Sequence, residues 1–214
     1  MDEVIKQMDL IQMETYKEMV GNCFIWRARI LTAMVLIEKG KVKEGYERIE
    51  KVLAEQKAHY ETDTHVSIDM TLNQLSVAAQ RIKDYDRAEE AYGSLVRLRR
   101  SVYGDRYEGI VVPMLRLAAI QRHLKKDDMH LETCQEGMAI TYKLLEMPDI
   151  KNSSARTGTC VAMGGEFLEM MFHAHGYAKD FQAQAEVAQE LCEFRKTHYG
   201  DRSVQYADAL YLKA

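Results

Sequence analysis

Apolar residues along this chain recur at three- and four-residue spacing, and short polar breaks separate the runs. Leu72, Leu75 and Ala79 share one face of a helix, and Ala88, Tyr92 and Leu95 share one face of the next. Gly21, Gly40, Gly104 and Gly200 follow apolar or basic turns, the place where a glycine ends a helix. Asn22, Asp63, Asp105 and Asp201 stand where a side-chain oxygen would cap the helix that follows. Together these signals predict helices over 2–20, 22–39, 42–60, 64–82, 85–102, 106–124, 127–145, 154–177, 180–198 and 203–213. No segment alternates as a strand would. Ile110-Val111-Val112-Pro113 is the one β-prone patch, and its proline predicts a late helix start or a kink. The fold class expected is all-α.

The chain also repeats itself. Val102-Tyr103-Gly104-Asp105-Arg106 returns as His198-Tyr199-Gly200-Asp201-Arg202, with Gly21-Asn22 as a fainter earlier copy. When the second helix of each pair is aligned, Ile5, Gly45, Ala88, His130 and Gln184 fall in equivalent places, at steps of 40, 43, 42 and 54 residues. The long last step predicts an insertion near 146–157, polar and loop-like, with Pro148, Asn152, Ser153 and Ser154. Such a register is expected of stacked helix pairs, each burying its apolar face on its neighbours.

Leu75-Ser76-Val77-Ala78-Ala79 followed by Lys83-Asp84-Tyr85-Asp86-Arg87-Ala88-Glu89-Glu90-Ala91-Tyr92 resembles a tetratricopeptide repeat. The long period and the Tyr-Gly-Asp closing motif are similar to the subtype seen in kinesin light chains. Small residues in the middle of the first helix (Ala33, Ser76, Ala118) and at the start of the second (Gly45, Ala88) fit that template, because the two helices cross closely there. His130 and Gln184 stand where alanine is usual, and Phe172 where a small residue is usual. The resemblance implies a right-handed α-α superhelix (a TPR solenoid) of antiparallel helix pairs. It would form a single solenoid over 1–214 with about four full pairs, partial repeats at both ends and the insertion loop at about 146–157. On this template 2–20 is the second helix of a preceding unit and 203–213 the first helix of a following one, so either the end helices act as caps or, as the missing polar C-terminal cap favours, the chain is a section of a longer array.

Composition narrows the function classes. Apolar residues make up 47% and charged residues 29%, with only two prolines and thirteen methionines, a mixture that favours helix. A net charge of −4 argues against a nucleic-acid-binding protein, and the run Arg97-Leu98-Arg99-Arg100 reads as a solvated helix face. Cys23, Cys134, Cys160 and Cys192 form no C-x-x-C pair, so reduced thiols and a cytoplasmic location are expected. No stretch is apolar enough to span a bilayer, and the N-terminus lacks a signal-peptide pattern.

Catalytic constellations are not found: there is no H-E-x-x-H, no G-x-S-x-G and no phosphate-binding glycine loop, Gly164-Gly165 included. His173-Ala174-His175 is the best metal candidate, with Cys160 or His198 as further ligands, but residues two apart on a helix point about 200° apart. No enzyme activity, metal or cofactor is expected. The resemblance instead implies a non-enzymatic scaffold or adaptor that binds a partner protein or extended peptide in the concave groove lined by the first helices. The groove positions are Arg27, Asn73, Val77, Gln80, Arg81, Arg116, Arg122, His123, Glu169, His173 and Tyr177. Their excess of cations would favour a peptide carrying acidic residues. Two other roles fit the same chain: a structural subunit of a large assembly packing by its edges and ends, and a sensor module regulating an attached domain.

Overall fold

The structure, a computed structural model, describes residues 14–213, with side chains from Gly21 onward. The equivalence of Ile5, and the part of the first expected helix before Glu14, lie outside the described residues. Helix α1 spans Glu14–Glu38, α2 Val42–Tyr60, α3 Asp69–Arg81, α4 Tyr85–Tyr103 and α5 Val111–His123. Helix α6 spans Asp127–Glu146, α7 Pro148–Lys151, α8 Ser154–Ala178, α9 Phe181–Tyr199 and α10 Val204–Lys213. No strand occurs among the described residues. The helices expected from 64 and 106 begin later, because 3-10 turns at Val66–Ile68 and Glu108–Ile110 lead into them. Pro113 thereby falls in the first turn of α5, where its missing N–H is harmless.

The caps also differ from expectation. The cap positions expected at Asp63, Asp105 and Asp201 are held by His65, Tyr107 and Ser203. The 3-10 turn after Asp63 is capped by His65, whose Nδ1 accepts from the Ser67 N–H at 3.2 Å. Helix α10 is capped by Ser203, whose Oγ accepts from the Tyr206 N–H at 3.2 Å. Asp84 and Asp180 cap α4 and α9 through the N–H groups of Arg87 and Ala183. At the expected break at Gly21 two helical stretches of α1 meet at a kink: Gly21 has φ 72° and ψ 161°, outside the helical region. Gly200 repeats that conformation with φ 86° and ψ 165°. This region of the backbone map is open to glycine almost alone.

Four turns share one hydrogen-bond pattern. After α1, the N–H groups of Gly40 and Lys41 donate to the carbonyls of Ile37 and Leu36. After α3, Lys83 and Asp84 donate to Gln80 and Ala79. After α5, Lys125 and Lys126 donate to Arg122 and Gln121. After α8, Lys179 and Asp180 donate to Gly176 and His175. Each is a Schellman close, which needs a left-handed residue at its first position. Gly40 supplies it with φ 82°, and Lys83, Lys125 and Lys179 supply it with φ 61°, 59° and 59°. These turns fold each helix back antiparallel on the one before.

The chain divides into two compact units, one ending at Val102 and the other beginning at Tyr103. In the first, Trp26, Ile30 and Val52 form a core cluster with Met34, Tyr60 and Met70 packed against it. In the second, α5, α6, α8, α9 and α10 pack in chain order around fully buried Met114, Ile120, Leu144 and Phe167. A Cβ at Gly137 would overlap the Phe167 ring, so the small residue on α6 makes room for the large one on α8. Gly164 does the same for Phe194: a Cβ there would lie 2.8 Å from the ring.

Within each pair the crossing point follows the small-residue template with two variations. A Cβ at Gly45 would lie 2.7 Å from the Ala33 carbonyl oxygen, so α1 and α2 approach backbone to backbone. Ala88 is fully buried at the equivalent place on α4. His130 occupies it on α6 and is also fully buried, its Nδ1 2.8 Å from the Ala118 carbonyl oxygen. Gln184 occupies it on α9 and lies over Gly176, where a Cβ would sit 2.6 Å from the Gln184 Nε2.

The stretch expected as a loop between 146 and 157 holds the one-turn helix α7, with Pro148 at its start and Ile150 fully buried. The burial of Ile150 anchors it, and the Thr157 hydroxyl donates to the Ile150 carbonyl at 2.6 Å. Much of the added length enters the next helix: α8 has 25 residues where α3 and α5 each have 13.

Candidate functional site

The expected binding positions divide between the units. In the first, Arg27 on α1 and Arg81 on α3 are exposed, while Asn73, Val77 and Gln80 on α3 are half-buried. In the second, Arg116, Arg122 and His123 on α5 are exposed, as are His173 and Tyr177 on α8, with Glu169 half-buried. Tyr177 is 80% exposed, the largest apolar surface among these positions.

Long-range pairing redistributes the charge that sequence alone assigned to this face. Arg81 donates from Nη1 to Glu38 Oε1 at 2.9 Å, which offsets its charge within the first unit. Gln80 Oε1 accepts from the Tyr92 hydroxyl at 3.2 Å, so its carbonyl end is already engaged. Glu169 is ion-paired with Arg195. In the second unit the exposed guanidinium groups of Arg116 and Arg122 stand on α5 with no ion pair to another described residue. Glu38 was not on the expected face, and no local signal could have placed it there, because it meets Arg81 from 43 positions away.

The basic run of 97–100 resolves differently from a uniformly solvated face. Arg99 is tied to Asp69 by two hydrogen bonds, of 2.6 and 2.9 Å, and is mostly covered. Arg97 is exposed and donates to the Ser94 hydroxyl at 2.9 Å.

Titratable groups are poised for structure. Burial pushes the Cys134 thiol up to about 12, and burial likewise raises Cys160 and Cys192. A thiol held protonated is a poor nucleophile and a poor metal ligand. His173 is exposed on α8, and His175 Nδ1 lies 3.9 Å from Asp180. No group of three histidine, cysteine, aspartate or glutamate side chains among the described residues is arranged to hold a metal ion. No helix among them is long and apolar enough to cross a membrane.

One constellation escaped the sequence. Arg156, near the start of α8, donates from Nε to Glu108 at 2.6 Å and from Nη1 to Asp149 at 3.0 Å. It joins the inserted one-turn helix to the turn that precedes α5. The only sequence trace of it was the insertion itself.

No protein-family model matches the chain, and no curated protein matches it. Solved structures do. BtubC (BKLC) from P. vanneervenii superposes with a TM-score of 0.64 at 15% identity, over 84% of this chain and 66% of that one. The nearly identical TPR-like repeats of a kinesin-light-chain-type protein from Podosopora anserina superpose with a TM-score of 0.62 at 16% identity, over 87% of this chain and 82% of that one. A single-substitution variant of the latter matches equally well. At such identity the likeness speaks to fold. With the antiparallel helix pairs, the four equivalent turns and the small-residue crossings, it shows that this chain has the tetratricopeptide-like repeat fold of kinesin-light-chain-type proteins.

Proposed function

We propose that this chain is a non-enzymatic scaffold or adaptor of the cytoplasm that binds a partner protein through an extended peptide carrying acidic residues. The observation that supports this most is the exposed pair Arg116 and Arg122 on α5, together with exposed His123, on a fold whose relatives are repeat proteins. Exposed guanidinium groups offer paired N–H donors to carboxylates. In the first unit, taken by itself, the half-buried amide of Asn73 suits a peptide backbone. Arg27, Val77, Gln80 and Arg81 are secondary positions in this reading, since Arg81 and Gln80 already have partners within the unit. His173, Tyr177 and Glu169 on α8 complete it in the second unit.

The test is a peptide array probed with the full chain and with Arg116→Glu/Arg122→Glu and Arg81→Glu variants. Acidic peptides should be lost with the double variant and largely kept with Arg81→Glu. Acidic peptides held equally by all three proteins would sink the reading.

A second reading, a structural subunit packing by its edges, is favoured by one observation. Tyr177 and Phe181, 80% and 68% exposed, flank the turn at Lys179 and present a bare aromatic edge. Phe181→Ser would then abolish assembly while leaving peptide capture intact, and unchanged assembly would reject it.

A further inference from the structure

Between the start of α5 and the first turns of α8 lies a cleft of about 280 Å³. Val111, Val112, Cys160 and Met163 give it apolar walls, and Ala155 and Thr159 stand exposed beside it. Its α8 wall comes from residues 155–163, the part by which α8 outruns the 13-residue helices α3 and α5. The cleft is therefore a product of the insertion and not of the repeat template. Of the cations on α5, Arg122 lies ten residues, about 15 Å, along the helix from the cleft residue Val112, whereas Arg116 lies one turn, about 6 Å, from it.

Size and charge together describe the occupant. The volume falls just short of the roughly 300–1,000 Å³ of sites for drug-sized ligands and suits one large side chain. The cleft is bounded by Glu108 and Arg156, and Asp149 stands on the far side of Arg156. Two carboxylates share one guanidinium, which leaves one negative charge unanswered at partly exposed groups. Lys151 lies two residues beyond Asp149 on α7, about 200° around that turn, and does not join the cluster. Such a rim repels an anion and attracts a cation.

We propose that this cleft is a second docking site, which takes one apolar side chain of a partner segment whose neighbouring residue is lysine or arginine. The apolar side chain fills the cleft and the cation meets the Glu108–Arg156–Asp149 rim. The site selects the charge opposite to that taken by the acidic-peptide face, and Arg122, the far residue of that face, does not take part in it.

The test uses the full chain and an array of peptides in a neutral Gly/Ser frame. Each peptide carries a central pair: an apolar residue followed by Lys, Arg, Ser or Glu. The best binder is then followed by fluorescence anisotropy. Apolar-plus-cation pairs should be retained, and Thr159→Trp, filling the cleft from an exposed position, should weaken them about tenfold or more. Asp149→Lys should move the preference from a cationic to an acidic neighbour, while Arg122→Glu should leave both results unchanged. Ala155→Trp replaces Thr159→Trp if circular dichroism shows that the latter does not fold. The proposal is overturned if no apolar-plus-cation pair is selected, if filling the cleft leaves binding intact, or if Asp149→Lys keeps the cationic preference. Acidic-peptide binding is read through Arg122, ten residues along α5 from Val112, so failure of one site is separable from failure of the other.

Discussion

The His130 Nδ1 donates its proton to the carbonyl oxygen of Ala118 at 2.8 Å, at the point where α5 and α6 cross. A carbonyl oxygen only accepts, so the tautomer is set, and Nε2 is left buried without a hydrogen-bond partner. The equivalent carbonyl in the first unit, that of Ala33, meets Gly45 instead. One repeat thus closes the crossing with a hydrogen-bonded ring and another with an absent side chain.

Replacing that ring tests how much the crossing depends on it. His130→Ala should cost about 2–4 kcal/mol, from a cavity plus an abandoned carbonyl. His130→Asn keeps an N–H at the same branch and removes the orphaned Nε2, so it should lose less than half as much. Urea unfolding of the three proteins decides; equal losses for both variants would show that the hydrogen bond contributes nothing.

The left-handed lysines make a second prediction. A residue with a Cβ is strained at positive φ, so Lys83→Gly, Lys125→Gly and Lys179→Gly should each raise stability by up to about 1 kcal/mol. Gly40→Ala should lower it by a similar amount. Gly200→Ala should cost more, about 1–3 kcal/mol, because its ψ of 165° places it in a region beyond the left-handed well. Melting temperatures of the five variants give the order, and a destabilised Lys83→Gly would contradict the turn geometry.

Acid should weaken the fold through two groups that act in the same direction. The Arg29 guanidinium beside Glu55 holds that carboxyl below the usual range, so its contribution is complete above the ordinary carboxylate value and is lost as pH falls through the lower folded value. Partial desolvation beside the Phe194 ring lowers His198, although the residue is exposed, so the unfolded chain takes up its proton first as pH drops below 6.5. Stability then declines from near pH 6.5 downward, with a further loss below the carboxylate range. Urea midpoints between pH 8 and pH 3.5 should show less of the lower loss in Glu55→Gln and less of the upper loss in His198→Phe. A flat profile in the wild type would refute both assignments.

Thiol reactivity checks the packing of the second unit, which holds the three buried cysteines. Cys23 is exposed, whereas Cys134, Cys160 and Cys192 are buried with raised acidity constants. Titration with a chromogenic disulfide at pH 8 should therefore find one fast thiol in the native protein and four after denaturation. Two or more fast thiols would mean that a buried helix pair opens.

The helices were legible in the sequence because their signals are local. Apolar spacing, the glycines at 40 and 200, and the proline at 113 act within a few residues, and each marks an element that the fold contains. Even the bend at Gly21 was marked, since its backbone matches that of Gly200. The equivalence of Gly45, Ala88, His130 and Gln184 was legible too, because the repeat imposes one register. What each of them does there was not. Whether a crossing is closed by a glycine, an imidazole on a carbonyl or a glutamine over a glycine depends on which residue the partner helix brings opposite.

The same holds for charge. Sequence supplied the cations at Arg81 and Arg156 but not the carboxylates that answer them, Glu38, Glu108 and Asp149. Glu38 and Glu108 lie 43 and 48 positions from their arginines and meet them only in the packed state, while Asp149, 7 positions from Arg156, meets it across the turn between α7 and α8. Nor did it foresee the lysines in left-handed turns, where closing the helix with two backbone hydrogen bonds outweighs the preference of a side chain for negative φ. Local preference determined the elements and their order. Contacts between distant residues, which exist only in the packed state, decided the crossings, the ion pairs and the cleft.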